Sequence, residues 1–160
     1  MGQKLIVGIS DWKVGKDDDM IVTYALGSCI GTCLYDGVTK IAGMSHIMLP
    51  DSKSIIDGHT TRMKFADTAI PDMLAKMKAM GASVSNIKAK IAGGAVMFQT
   101  MNSKFNIGER NIAAVKATLA MLRIPIVAED VGLNYGRTMT FWAENGAVEI
   151  SSTILGKKMI

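Results

Sequence analysis

Three consecutive β-strand patterns in the first third of the chain constrain its fold most strongly. Each is a short run rich in β-branched and other apolar residues, with turn-forming or polar residues at its ends, as is typical of strands. We predict strands at MIVTYAL (20–26), at CIGTCLY (29–35) and at KIAGMSHIML (40–49), which Pro50 ends. The segment DGVTK between the last two is short enough for a tight turn, so we expect these strands to pair as a hairpin.

Two longer segments have the spacing of amphipathic helices. Apolar residues recur every three to four positions in TRMKFADTAIPDMLAKMKAMG (61–81), which ends at a glycine, and in GERNIAAVKATLAMLR (108–123). Pro71 lies inside the first helix, where a proline has no amide hydrogen to donate, so we expect a kink or a short break there.

The remaining segments complete an α+β pattern. We predict strands at IKAKIAG (87–93) and PIVAEDV (125–131), a hairpin around Asn145 and Gly146 in TMTFWAENGAVEISST (138–153), and a polar loop at DWKVGKDDDM (11–20). The fold class expected is therefore α+β, with mixed α/β layers, mostly antiparallel mixed sheets and two main helices. At 160 residues, we expect residues 1–160 to form one domain.

Composition and charge exclude several function classes. No apolar run approaches the roughly 18 residues that a membrane helix needs. The N-terminus has neither the basic region nor the cleavage site of a signal peptide, so we expect a cytoplasmic protein. The net charge is only +4 and the basic residues are scattered, which disfavours nucleic-acid binding. Nothing in the sequence requires an oligomer, so we expect a monomer.

The two cysteines, Cys29 and Cys33, do not act as a pair if the segment is a strand. Their side chains then point the same way but stand roughly 13 Å apart. A disulfide tolerates a Cα separation of only about 7 Å, and two zinc-bound sulphurs must both lie about 2.3 Å from the metal. His46 and His59 add no known zinc spacing. We therefore predict no metal site.

A tight turn in DGVTK predicts which residue faces Cys29. If Asp36 pairs with Thr39, the register places Cys29 directly opposite His46, at a distance suited to a thiol and an imidazole. A cysteine beside a histidine can act as a nucleophile with a general base. The interpretation depends on the register, since a slip of one residue reverses the face. A buried, inert cysteine and a core histidine are the alternative interpretations.

Position favours Cys29 over Cys33 as the nucleophile. Cys29 follows the bend LGS at the mouth of a strand, where backbone N–H groups can face a substrate, whereas Cys33 lies in the middle of the strand. Both residues belong to TYALGSCIGTCLYD, and AGMSHIMLP follows it. These two blocks resemble the signature of the CheD family of chemoreceptor glutamine deamidases. Further blocks match that family in order: TRMKFADTAIPDML, KAKIAGGAVMF, IGERN and NYGRTMTFWAENG.

The resemblance implies a set of catalytic residues. It assigns the catalytic cysteine to Cys29, the histidine to His46 and a third residue, a threonine, to Thr23, with Cys33 outside the set. One departure is Val96, where the family more often has asparagine after GGA.

The implied reaction is hydrolysis of glutamine side-chain amides to glutamate in the cytoplasmic helices of chemoreceptors, through a thioester and without a cofactor. Thr23 would orient the imidazole. Backbone N–H groups at Gly27, Ser28 and Cys29 are the candidate donors to the oxyanion.

The resemblance also implies a protein partner, the phosphatase CheC. Phe98 and Phe105 lie in a polar connection ahead of the second helix, where exposed aromatic rings could anchor that partner; the alternative is that a ring packs on the core. Two other functions stay open. One is an adaptor that binds and stimulates CheC without catalysis, and the other is a thiol esterase or amidase acting on small substrates.

Overall fold

The computed structural model describes residues 2–54, 61–97 and 106–160. In that part of the chain, ten strands form two five-stranded sheets and two helices cover one of them. The first sheet has the order β1-β3-β8-β9-β10, with bounds Lys4–Val7, Met20–Leu26, Arg137–Trp142, Val148–Ser152 and Gly156–Met159. The second has the order β2-β5-β4-β6-β7, with bounds Asp11–Lys16, Ile41–Ile47, Ile30–Asp36, Ile87–Gly93 and Ile126–Val131.

The second sheet is the middle layer of the fold, because its strands bury side chains on both faces. Alternate residues of β4 and β5, such as Ile30, Leu34 and Ile47, pack in a core cluster with helices α1 (Ala66–Ala79) and α2 (Ile107–Met121). The intervening residues, such as Cys33 and Met44, face the first sheet in a second cluster. Both β4 and β5 are almost entirely buried.

The structure confirms the predicted α+β class, both helices and the predicted strands. Most strand pairs are antiparallel; β1 with β3 and β6 with β7 are parallel. Helix α1 continues from Ala66 to Ala79 through Pro71, so the predicted break is absent. None of the helices in the described ranges is both long enough and apolar enough to cross a bilayer.

The prediction of a polar loop over residues 11–20 was wrong for its first half. Residues 11–16 form β2, which pairs antiparallel with β5 at the edge of the second sheet. Trp12 and Val14 alternate along β2 and pack against the helix-facing core, which is a strand pattern. The acidic run after them favoured the interpretation as a loop. Strands β1 and β10 were not predicted either.

The predicted register of the β4–β5 hairpin was wrong by two residues. Asp36 pairs with Ile41, and His46 stands opposite Gly31 rather than Cys29. The reason is a longer loop: residues 37–40 connect the strands, and Lys40 closes the loop at φ 56° with its N–H on the Asp36 carbonyl. A slip of two residues keeps every side chain on its face, so Cys29 and His46 still belong to the side that faces the first sheet.

Candidate active site

Cys29 lies in a loop between β3 and β4 whose backbone carbonyls are all engaged. The Gly27 carbonyl accepts from the N–H of Ala95 and the Cys29 carbonyl from that of Gly94, both at 2.9 Å. The Ser28 carbonyl accepts from Asn111 Nδ2 at 2.8 Å. Every carbonyl of residues 27–29 is thus held by a donor from the loop after β6 or from α2.

The amide groups of the same loop have a different arrangement. The Gly27 N–H donates to the Ala25 carbonyl (3.1 Å), so it is occupied within the loop. For Ser28 and Cys29, no acceptor on another described residue receives their N–H groups. Of the predicted oxyanion donors, these two are therefore the ones still available.

Glycine is required where β6 passes behind the Cys29 loop. Gly93 has φ 110°, and a Cβ there would overlap the Cys29 carbonyl oxygen. Gly94, at φ 69°, donates the hydrogen bond to the same carbonyl. A side chain at either position would strain the backbone and push the loop away.

His46 joins the two sheets through a buried hydrogen bond. Its Nδ1 lies 2.7 Å from the Thr23 hydroxyl, and both residues are fully buried. The same hydroxyl donates to the Val7 carbonyl at 2.7 Å. Because a hydroxyl has a single hydrogen, Thr23 must accept the second bond, so Nδ1 carries the imidazole proton and Nε2 has a free lone pair.

The surroundings of His46 keep the ring neutral. Burial lowers its pKa from 6.5 to about 4 because the interior disfavours the imidazolium. Nε2 is buried, and no hydrogen-bond partner for it occurs among the residues that the structure describes. His46 is therefore a neutral base with an unused nitrogen at physiological pH.

Burial distinguishes the two cysteines. Cys29 is half-buried, and burial raises the pKa of its thiol, an effect partly offset by its own backbone N–H. Cys33 is fully buried, with Sγ 3.9 Å from Met139 Sδ, and burial raises the pKa of its thiol much further. Only Cys29 is accessible to a substrate.

Cys29 and His46 are brought to the same end of the sheet. His46 stands opposite Gly31, so Cys29, two residues earlier, is its diagonal neighbour on the same face. Residues in that relation are about 7–8 Å apart at Cα, within reach of a long side chain. The arrangement can form a thiol–imidazole site with Thr23 behind the ring.

Other predicted residues lie elsewhere. Val96 follows the loop that supports Cys29, and its N–H donates to the Leu133 carbonyl at 2.8 Å. Phe98, Phe105 and His59 lie outside the described residues. No cluster of three metal-binding side chains occurs in residues 2–54, 61–97 and 106–160.

One residue at the site was missed by the sequence analysis. Asn111 is fully buried on α2, and its Nδ2 contacts the backbone on both sides of the site, at Ser28 and Met48. The available signal was an asparagine at a helix position where the spacing predicts an apolar residue. The motif IGERN contains it, but the motif by itself indicates no contact.

Comparison with known proteins identifies the family. A family model described as CheD chemotactic sensory transduction matches residues 48–152. A relative from Clostridium botulinum (strain Hall), named probable chemoreceptor glutamine deamidase CheD, is 50% identical over 160 residues, covering 99% of this chain and 98% of its own. The chain belongs to the CheD family. A relative of the same name from Lachnoclostridium phytofermentans is 46% identical over 162 residues, covering 100% of both chains.

The two kinds of match cover the site differently. The CheD family model begins at residue 48, after Thr23, Cys29 and His46. The alignments to the CheD relatives span nearly the whole chain. Membership in the family therefore rests on both, and Thr23, Cys29 and His46 lie outside the segment that the family model matches.

Proposed function

We propose that this protein is a chemoreceptor glutamine deamidase that uses Cys29 as nucleophile and His46 as general base. The observation that carries the proposal is the buried Thr23–His46 hydrogen bond. It directs the proton to Nδ1 and leaves Nε2 unpartnered among the described residues, on the face of β5 that Cys29 shares. The names of the full-length relatives support the substrate class, glutamine side chains of chemoreceptors.

The reaction begins with attack by Cys29 Sγ on the carboxamide carbon of a glutamine. His46 Nε2 takes the thiol proton and delivers it to the leaving nitrogen, so ammonia departs and a thioester remains. His46 then takes a proton from water, which attacks the thioester, and returns it to the sulphur. One water is consumed, and one glutamate and one ammonia are formed.

The resting protonation states favour a proton transfer that occurs together with the attack over one that forms a thiolate beforehand. Burial raises the pKa of the Cys29 thiol and lowers that of His46 to about 4, so both groups are neutral at rest. The thiolate forms only as the carbon–sulphur bond forms, when charge moves to the amide oxygen. The N–H groups of Ser28 and Cys29 are the proposed donors to that oxygen, because neither has an acceptor on another described residue.

Binding of CheC is a second proposal, supported by the family resemblance alone. Phe98 and Phe105, the proposed contacts, lie outside the described residues. The functional experiment below separates this adaptor role from catalysis.

The test measures ammonia release and glutamine-to-glutamate conversion, by peptide mass spectrometry, on the cytoplasmic domain of a chemoreceptor from the same organism. The native protein, Cys29→Ala and Cys33→Ala are compared. We expect conversion by the native protein and by Cys33→Ala, the matched control, and none by Cys29→Ala. Conversion by Cys29→Ala, or none by the native protein, would overturn the proposal; the latter result would favour the adaptor function, to be measured as CheC binding.

A further inference from the structure

We propose that Asn111 is a positioning residue that holds the Cys29 loop and the end of β5 in register. Its Nδ2 donates one hydrogen bond to the Ser28 carbonyl (2.8 Å) and one to the Met48 carbonyl (3.1 Å). Ser28 is bonded directly to Cys29, and Met48 follows His46 by two residues. One buried amide therefore joins the backbone segments that hold the proposed nucleophile and base.

The bridge lies where the strand ladder stops. The last pair between β4 and β5 is Ile30 with Ile47. Beyond it, the Met48 N–H donates to the Lys64 carbonyl at 2.9 Å instead of to β4, so the end of β5 is drawn toward another segment. Asn111 connects the start of β4 with the end of β5 at the position where Cys29 leaves the sheet.

Close packing of α2 determines where the Asn111 amide lies. Gly108, one turn earlier, is pressed against the carbonyl oxygens of Gly94 and Ala95, each of which would be 2.5 Å from a Cβ at that position. The amides of Gly94 and Ala95 bind the Cys29 and Gly27 carbonyls. The helix is thus seated directly on the loop that supports Cys29, and Asn111 continues that contact on the next turn.

The chemistry of the side chain matches its two acceptors. An amide nitrogen has two hydrogens, and both carbonyls are bound by that nitrogen. On the same helix Val115 and Leu119 fill the core with apolar side chains, so packing alone would favour leucine at Asn111. Asn111 Oδ1 is buried and has no partner in the described ranges, which adds a cost that an apolar residue would avoid. The two donors account for an asparagine here.

The test compares Asn111→Leu with Thr118→Val. Leucine has a similar volume and no donor; Thr118 is a buried polar residue two turns further along α2 and away from the site, so it is the matched control. For each variant we would measure the thermal midpoint, amide hydrogen exchange over residues 94–95, whose N–H groups bind the Cys29 loop, and over residues 47–49, and kcat and KM for receptor deamidation. If Asn111→Leu does not fold, Asn111→Ala is measured by the same criteria.

We expect Asn111→Leu to lower kcat about 100-fold, as small displacements of reacting groups do, with KM within threefold. We also expect exchange to rise at least tenfold in both segments, while Thr118→Val changes neither quantity by more than threefold. Native kcat and native exchange in the Asn111 variant would overturn the proposal, as would equal losses in both variants at equal thermal midpoints. The kinetic measurement rests on the proposed function, whereas hydrogen exchange does not. Failure of the proposed function is therefore distinguishable from failure of the proposal for Asn111.

Discussion

At the scale of single residues, Thr23 decides the chemical character of His46. The Thr23 hydroxyl donates its single hydrogen to the Val7 carbonyl, so it can only accept a hydrogen bond from His46 Nδ1. The imidazole is thereby held in one tautomer and one orientation. A backbone carbonyl on a neighbouring strand thus sets the basic nitrogen of the ring through one intervening hydroxyl.

Replacing Thr23 with valine should expose this role. Valine has nearly the same shape but cannot accept the Nδ1–H, so the ring loses its tautomeric preference and the buried proton loses its partner. We expect kcat for receptor deamidation to fall by about 10²–10⁴-fold, the usual contribution of positioned acid–base groups. Thr23→Ser, which keeps the hydroxyl, should stay within about tenfold of the native kcat, and equal activity of the two variants would contradict the assignment.

Burial of neutral His46 should make the protein less stable in mild acid. The folded-state pKa of about 4 lies below the unfolded value of 6.5, so from pH 6.5 downward the unfolded chain binds a proton that the folded chain refuses. The free energy of unfolding should therefore fall by about 2 kcal/mol between pH 7 and pH 5 from this residue. Urea unfolding of the native protein and His46→Gln at both pH values measures it; the variant should lack this part of the decrease, and parallel decreases would refute the prediction.

At the scale of elements, Asp36 organises the connection between β4 and β5. Its Oδ1 accepts from the N–H groups of Val38 (2.9 Å) and Thr39 (3.1 Å), and its Oδ2 from that of Ser83 (2.9 Å). Burial alone would raise the pKa of this carboxyl, but these hydrogen bonds hold it below its usual value. The bonds stabilise the four-residue loop that sets the hairpin register.

Asp36→Asn should destabilise this connection without affecting catalysis. An amide has a single oxygen, and its NH2 group donates, so at least one backbone N–H loses its partner, and we expect a loss of about 1–3 kcal/mol in urea unfolding at pH 7. Because the carboxyl has a lowered pKa, its contribution is present above the unfolded pKa and is lost as the pH falls through the folded-state pKa, so the difference between the two proteins should shrink below about pH 4. The kcat should stay within about threefold, since the loop is at the far end of β4 from Cys29. A difference that persists unchanged at pH 3 would contradict the mechanism.

At the scale of the whole molecule, a buried ion pair joins the two sheets next to the site. Arg137 Nε on β8 lies 2.9 Å from Asp130 Oδ2 on β7, and Lys158 Nζ on β10 lies 2.6 Å from the other oxygen. Burial alone would raise the pKa of Asp130, but the hydrogen bonds from Lys158 and Arg137 hold it below its usual range. Arg137 also stacks on the Tyr135 ring at 4.3 Å and approaches the Gly93 carbonyl at 3.5 Å.

Removing Arg137 should weaken the contact between the sheets. Arg137→Met leaves the largely buried Asp130 carboxylate with the exposed Lys158 alone, and breaking a buried pair in this way costs about 3–5 kcal/mol. Urea unfolding at pH 7 measures the loss. Adding Asp130→Asn to Arg137→Met should recover part of it, because the stranded charge is then gone. A loss below about 1 kcal/mol, or a strictly additive double variant, would show that the ion pair is not what holds the sheets here.

The sequence by itself determined the periodic elements and the family resemblance. Apolar periodicity depends on near neighbours, and so it predicts both helices, most strands and the hairpin at Asn145–Gly146, which the structure confirms. The resemblance to the CheD family supplied the candidate set of Thr23, Cys29 and His46. Apolar periodicity failed for β2, where the alternation is only as long as a single edge strand, and for β1 and β10.

Only the tertiary structure decided how those residues meet. The loop that sets the hairpin register is held in part by the contact of Asp36 with Ser83, 47 residues away, which no local turn signal specifies. The Thr23–His46 bond crosses between two sheets, and Asn111 reaches Ser28 from 83 residues along the chain. Such contacts follow from the packing of distant segments rather than from the conformation of any one of them. For that reason the chain's sequence predicts which side chains could react, and its fold decides which of them are held together.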